Sequence, residues 1–155
     1  MNTNEISIRR FDVNKVTNTS RILIIGKRRT GKSVLTKDLL YNTKPFIRGT
    51  VFSSTDHVCH FYNKFVPEKF IYKQYDPKVL QVVLKKQQKA VENKWSNSGA
   101  FIVFDQIVGL DFKKDKASND LLINGGQYNT LCINEIQSPM FIPPSLRGNF
   151  DFVFI

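Results

Sequence analysis

The apolar positions of this chain fall into short runs whose spacing switches between that of a strand and that of a helix. Ile22, Leu23, Ile24 and Ile25 form a continuous run, as in a strand buried on both faces of a parallel sheet. A polar, glycine-bounded segment follows, and then a helical pattern over residues 33–41 with Val34, Leu35, Leu39 and Leu40 near one side. Residues 50–53 read as a second strand. Ser54, Thr55 and Asp56 offer N-caps for a short helix through Phe61, Tyr62 and Phe65. Residues 70–72, after Pro67, form a third short strand. Asp76 and Pro77 then open a long helix as N-cap and first helical residue, with Leu80, Val83, Leu84, Gln87 and Val91 on one face and an end near Trp95.

Residues 100–104 are again continuously apolar. A helix over 118–123, a strand over 130–133 and a last strand over 151–155 complete the pattern. Upstream, Ile6, Ile8, Phe11, Val13 and Val16 alternate with polar residues and read as an edge strand leading in. Strands alternating with helices predict an α/β fold in one domain over residues 1–155: three layers, a mostly parallel central sheet flanked by helices, and ligands at the carboxyl ends of the strands. The apolar ending at Phe152-Val153-Phe154-Ile155 fits either an edge strand or a domain shortened at its C-terminus.

The segment between the first strand and first helix is Gly26-Lys27-Arg28-Arg29-Thr30-Gly31-Lys32-Ser33. A strand that breaks into this spacing and resumes as a helix reads as a P-loop, because the glycines admit the backbone angles that turn successive N–H groups around a phosphate. Residues Gly26 to Val34 would cradle the phosphates, with Lys32 reaching the β/γ-phosphates and the Ser33 hydroxyl on Mg²⁺. The expected cofactors are therefore ATP and Mg²⁺, and the expected fold is that of a P-loop NTPase. Phe101-Ile102-Val103-Phe104-Asp105 adds a Walker B pattern, four apolar residues ending in a carboxylate that would hold the metal beside Ser33.

Hydrolysis also needs a group that handles the attacking water. Gln106 follows Asp105; an amide takes no proton at neutral pH but orients a water by hydrogen bonds. Gln137 lies beyond the strand over 130–133, where a polar side chain would sense the γ-phosphate or merely face solvent. Arg147, in the turn-rich Ile142-Pro143-Pro144-Ser145-Leu146-Arg147-Gly148, is either an arginine finger between subunits or a surface cation.

Composition narrows the partners. With 155 residues, 41% of them hydrophobic and 13 of them Phe, the chain fills one core. No apolar run approaches the roughly 20 residues of a membrane span, and the polar start lacks a signal peptide's apolar stretch, so a soluble intracellular protein is expected. Cys59 and Cys132 have no paired spacing and read as buried thiols in a reducing compartment. His57, Cys59 and His60 lack the fourth ligand of a zinc site. The formal net charge of +10 points to a polyanion. It is spread over Arg9, Arg10, the P-loop, the helix with Lys85, Lys86, Lys89 and Lys94, and the cluster Lys113, Lys114 and Lys116. This spread reads as a basic surface on a folded domain, or as solvated helix faces.

The residues 26–33, Ser53-Ser54-Thr55-Asp56, Phe61-Tyr62, Phe70-Ile71-Tyr72, the Asp105 strand, Asn124-Gly125, Tyr128-Asn129, Gln137 and the segment 142–151 together resemble the genome-packaging ATPases of large DNA viruses, in the FtsK/HerA branch and similar to the poxvirus packaging protein. The resemblance covers nearly the whole chain. It implies a DNA-dependent motor acting on double-stranded DNA as a homo-oligomeric ring, with viral capsid or membrane proteins as partners, in the viral factory of the host cytoplasm or in the virion. It also implies nucleotide and Mg²⁺ on Lys32 and Ser33, metal on Asp105, γ-phosphate sensing by Gln137 and a subunit contact through Arg147. Two departures stand out, both expected at the active face. Gln106 replaces a second acidic residue, and Gly126-Gln127 replaces an Arg-His pair. Family members also continue past the position of Ile155. These departures favour, as the competing reading, a nucleotide-binding assembly protein that does not hydrolyse ATP. A small-molecule kinase would need an arginine-rich lid, which is not evident.

Overall fold

The computed structural model describes residues 10–43, 45–107 and 114–155. Its centre is a six-stranded sheet of β1 (Arg21–Ile25), β2 (Arg48–Ser53), β3 (Ile71–Tyr72), β4 (Ala100–Asp105), β5 (Thr130–Ile136) and β6 (Phe152–Phe154). The strand order is β3-β2-β4-β5-β1-β6 and every pairing is parallel, so all carboxyl ends share one rim. Parallel neighbours need crossovers, which the helices α1 (Lys32–Asn42), α2 (Asp56–Cys59), α3 (Pro77–Glu92), α4 (Lys116–Asn124) and α5 (Pro144–Arg147) supply.

Alternation along the buried strands splits the core in two. Leu23, Phe52, Ile102, Phe104 and Cys132 face α3, α4 and α5. Ile22, Ile24, Val51, Val103, Leu131 and Ile133 face α1 and the segment with Tyr62 and Val66. The three layers of a P-loop NTPase fold follow directly, with α1 packed on the second face. Because one residue separates the two faces, the parity of each strand residue decides whether it meets α1.

Helix α3 starts as its sequence predicts: Asp76 accepts the Lys78 N–H at 2.8 Å and Pro77 occupies the first turn. It stops at Glu92, short of Trp95, and Ala90 takes the buried place expected for Val91. Gln87 is buried because its amide is fully used, donating to the Ser98 and Tyr128 carbonyls and accepting from Arg48.

Three expectations change. Over residues 10–20 the chain forms no strand; it makes a 3₁₀ turn at Val13–Lys15, and Phe11 instead rests edge-on against Phe152 and Phe154 of β6. Ile6, Ile8, Arg9 and Lys113 lie outside the described residues. Val34 points outward at 63% exposure, and the buried face of α1 is Lys32, Thr36, Leu39 and Leu40. Cys132 is buried, and burial pushes its thiol up to about 12, whereas Cys59 is exposed. Among the described residues no helix is long and apolar enough to cross a membrane.

Candidate functional site

The chain leaves β1 at Gly26, whose N–H donates to the Ile136 carbonyl at 3.0 Å and so fastens the loop to the end of β5. A Cβ at Gly26 would lie 2.5 Å from the Thr30 hydroxyl, which itself donates to the Lys27 carbonyl at 2.9 Å; the turn closes too tightly for a side chain. Arg29 and Gly31 adopt left-handed backbone (φ 63° and 87°), and Gly31 is the N-cap of α1. Holding a non-glycine residue such as Arg29 there costs about 1–2 kcal/mol, and such strain gathers at binding sites. Left-handed residues spaced in this way are a feature of anion nests, in which successive N–H groups turn to one side, and the positive end of α1 begins at the same loop.

Lys27, Arg28, Arg29 and Thr30 are exposed on this loop, and Val34 can contribute only its backbone. Lys32 is different: it is 6% exposed, and its Nζ donates to the carbonyls of Gly26 at 3.0 Å and Lys27 at 2.9 Å. The ammonium thus spans the inside of the loop.

The acidic half of the site comes from the sheet. Ser53, Asp105 and Glu135 occupy matched register positions across β2, β4 and β5, all on the α1 face. The Ser53 hydroxyl donates to Asp105 Oδ2 at 2.7 Å, while Asp105 Oδ1 is buried with no hydrogen-bond partner. Glu135 is fully buried and accepts three hydroxyls: Ser33 on Oε2 at 2.9 Å, Thr36 and Tyr62 on Oε1, each at 2.7 Å. Tyr62 is aimed by its backbone, since its N–H donates to Asp56 Oδ1 at 2.7 Å and the Asp56 N–H donates to the Ser53 hydroxyl.

Burial holds both carboxyls above their usual range. For Asp105 the Ser53 hydrogen bond and the Lys32 charge oppose that rise; for Glu135 the charge of Asp105 adds to it and the three hydroxyls oppose it. Burial and then Glu135 likewise raise the Tyr62 phenol, which stays a donor. Asp105 Oδ1 is the kind of orphan that a hydrated divalent cation satisfies. The oxygen donors of Ser33 and Asp105 suit Mg²⁺, so the residues present fit the metal expected for this loop.

Gln106 sits just past Asp105 in left-handed backbone (φ 48°), with its N–H on the Glu135 carbonyl at 3.0 Å. Gln137 Nε2 donates to its side-chain oxygen at 2.6 Å. Lys32, Ser33, Asp105, Gln106 and Gln137 therefore gather at the rim formed by β1, β4 and β5. Arg147 shares no described hydrogen bond with them: it donates to the carbonyls of Ile142 at 3.0 Å and Pro139 at 3.1 Å, closing its own crossover. Gly126-Gln127 stands in the 3₁₀ turn Gly125–Tyr128 that leads into β5, at the amino-end rim. The expected placement of that pair at the active face is thus overturned, because in an all-parallel sheet the residues before a strand lie opposite those after it.

Sequence reasoning missed Glu135, Thr36 and Tyr62. It ended the strand at Ile133, which left Glu135 in a loop. Extending the alternation Leu131, Ile133, Glu135 places the carboxylate on the α1 face.

No protein-family model matches the chain. It is 30% identical over its full length to 58% of an uncharacterized protein of Acanthamoeba polyphaga mimivirus. It is also 35% identical, over 99% of its length, to 64% of an uncharacterized protein of Invertebrate iridescent virus 6. The chain thus spans about three fifths of these viral relatives. Among solved structures, the cytoplasmic domain of EssC superimposes on 88% of the chain with a TM-score of 0.62 at 14% identity, covering 30% of that protein. That likeness shows the α/β fold.

Proposed function

We propose that this chain is the ATP-binding core of a viral motor that drives double-stranded DNA into capsids. The observation that carries the reading is the meeting, at one rim, of the Lys32–Ser33 loop with the buried, half-satisfied Asp105. The N–H groups and ammonium of the loop hold phosphate oxygens, Ser33 and Asp105 hold the metal, and the Gln106–Gln137 pair orients water. ATP and Mg²⁺, when bound, supply the phosphoryl group and the positive charge that stabilises its transfer.

The exposed basic side chains fit a backbone-reading contact with DNA, without base recognition. Arg147 would serve neighbouring copies in a homo-oligomeric ring only after leaving the two carbonyls it now holds. The viral relatives support a viral setting; the factory or virion as its place, and capsid or membrane proteins as partners, are part of the proposal.

A second reading rests on Gln106. Its side-chain oxygen accepts the Gln137 amide and takes no proton at neutral pH, so position 106 supplies no base, which favours a nucleotide-binding assembly protein that turns over little ATP. Phosphate release measured with and without double-stranded DNA separates the two: DNA-stimulated release supports the motor, and tight ATP binding without it supports the assembly protein. Lys32→Ala should abolish Mg²⁺-dependent ATP binding. Unchanged binding in that variant would sink the assignment of the loop.

A further inference from the structure

We infer that Glu135 is a direct ligand of the divalent cation, so that Ser33, Asp105 and Glu135 form a metal site that fills without nucleotide. This rests on reading residues 26–33 as a phosphate loop and deepens it. The two carboxylates are oriented in the same way. Each has one oxygen fixed by neighbours, Asp105 Oδ2 by Ser53 and Glu135 Oε1 by Thr36 and Tyr62. Each leaves the other oxygen less occupied: Asp105 Oδ1 has no hydrogen-bond partner although the residue is 3% exposed, and the described partner of Glu135 Oε2 is the Ser33 hydroxyl at the start of α1.

The spacing of that last contact is itself suited to a metal. Oxygens at adjacent corners of an octahedron whose centre lies about 2.1 Å from each are about 3.0 Å apart. Ser33 Oγ and Glu135 Oε2 are separated by 2.9 Å. A cation taking up the Ser33 oxygen therefore meets Glu135 Oε2 without backbone movement, and the serine proton turns away from the carboxylate. Charge points the same way: paired in register with no residue between them, two buried carboxylates repel, and the Lys32 ammonium nearby is committed to the loop carbonyls. A divalent ion relieves that repulsion, whereas a buried serine or threonine at position 135 would not create it.

The test uses chelator-stripped, nucleotide-free full-length chain and Mn²⁺ as probe, read by electron paramagnetic resonance. Wild-type protein should bind one Mn²⁺ and Glu135→Gln should bind it at least tenfold more weakly, with circular dichroism verifying the fold. As a readout independent of any variant, Mg²⁺ alone should raise the melting temperature of the wild type. The inference is overturned if wild type takes up Mn²⁺ only with nucleotide, or if Glu135→Gln binds Mn²⁺ as wild type does. Binding of a fluorescent ATP analogue to Lys32→Ala is measured alongside: retained binding there overturns the phosphate-loop reading, while the Mn²⁺ titrations still decide the role of Glu135.

Discussion

Gln137 donates its side-chain amide to the Gln106 side-chain oxygen at 2.6 Å, bridging the ends of β5 and β4 at the rim where the phosphate loop lies. Gln106 is held there by its left-handed backbone and by its own N–H on the Glu135 carbonyl. The pair is therefore a fixed polar bridge, with a carbonyl oxygen used up and a second amide positioned beside it.

Replacing Gln106 by Glu should keep this bridge, because the new carboxylate accepts the Gln137 amide as the old carbonyl does. It adds a proton acceptor, so ATP turnover should rise on the order of tenfold or more while ATP affinity stays near the wild-type value. Steady-state phosphate release and equilibrium binding check the two halves; equal turnover would mean that the base is not limiting.

Gly49 in β2 should not tolerate a methyl group. Its register partner is Phe101, and a Cβ would lie 2.2 Å from that ring, which is itself edge-on to Phe46 at 5.5 Å. Gly49→Ala should lower stability by about 1–3 kcal/mol as the ring is forced aside. Urea unfolding reads the change, and Phe101→Leu in the same background should recover part of it.

The two cysteines should react very differently. Cys59 is exposed and Cys132 is fully buried, with its thiol pushed up to about 12 and its sulfur accepting the Asn134 amide at 3.4 Å. At pH 8 an aromatic disulfide reagent should consume one thiol rapidly in native protein and the second only after unfolding. Rapid loss of both in native protein would contradict the burial of β5.

Much of the fold was legible because its signals are local. The apolar run before Gly26, the glycine spacing and the Asp76-Pro77 helix start each fix a backbone conformation within a few residues. Asp105 was legible as the carboxylate ending an apolar strand. Glu135 was not, because the polar pair Asn134-Glu135 looks like the end of a strand until the parallel sheet closes over it. Thr36 and Tyr62 carry no signal at all: they meet Glu135 across 99 and 73 residues of chain, through an alignment that only the packed α1 face produces. Gly126-Gln127 shows the reverse case, a conspicuous departure in sequence that topology places at the far rim.

The bridge that Lys32 makes between the Gly26 and Lys27 carbonyls has a consequence for how a phosphate enters. The loop is already wound, and its lysine already sits inside. Arrival of a ligand is then an exchange of partners, in which the ammonium gives up two carbonyls and takes up phosphate oxygens, with little chain left to order. Capture should be governed by the rate of encounter, while the exchanged hydrogen bonds keep the net heat of that step small.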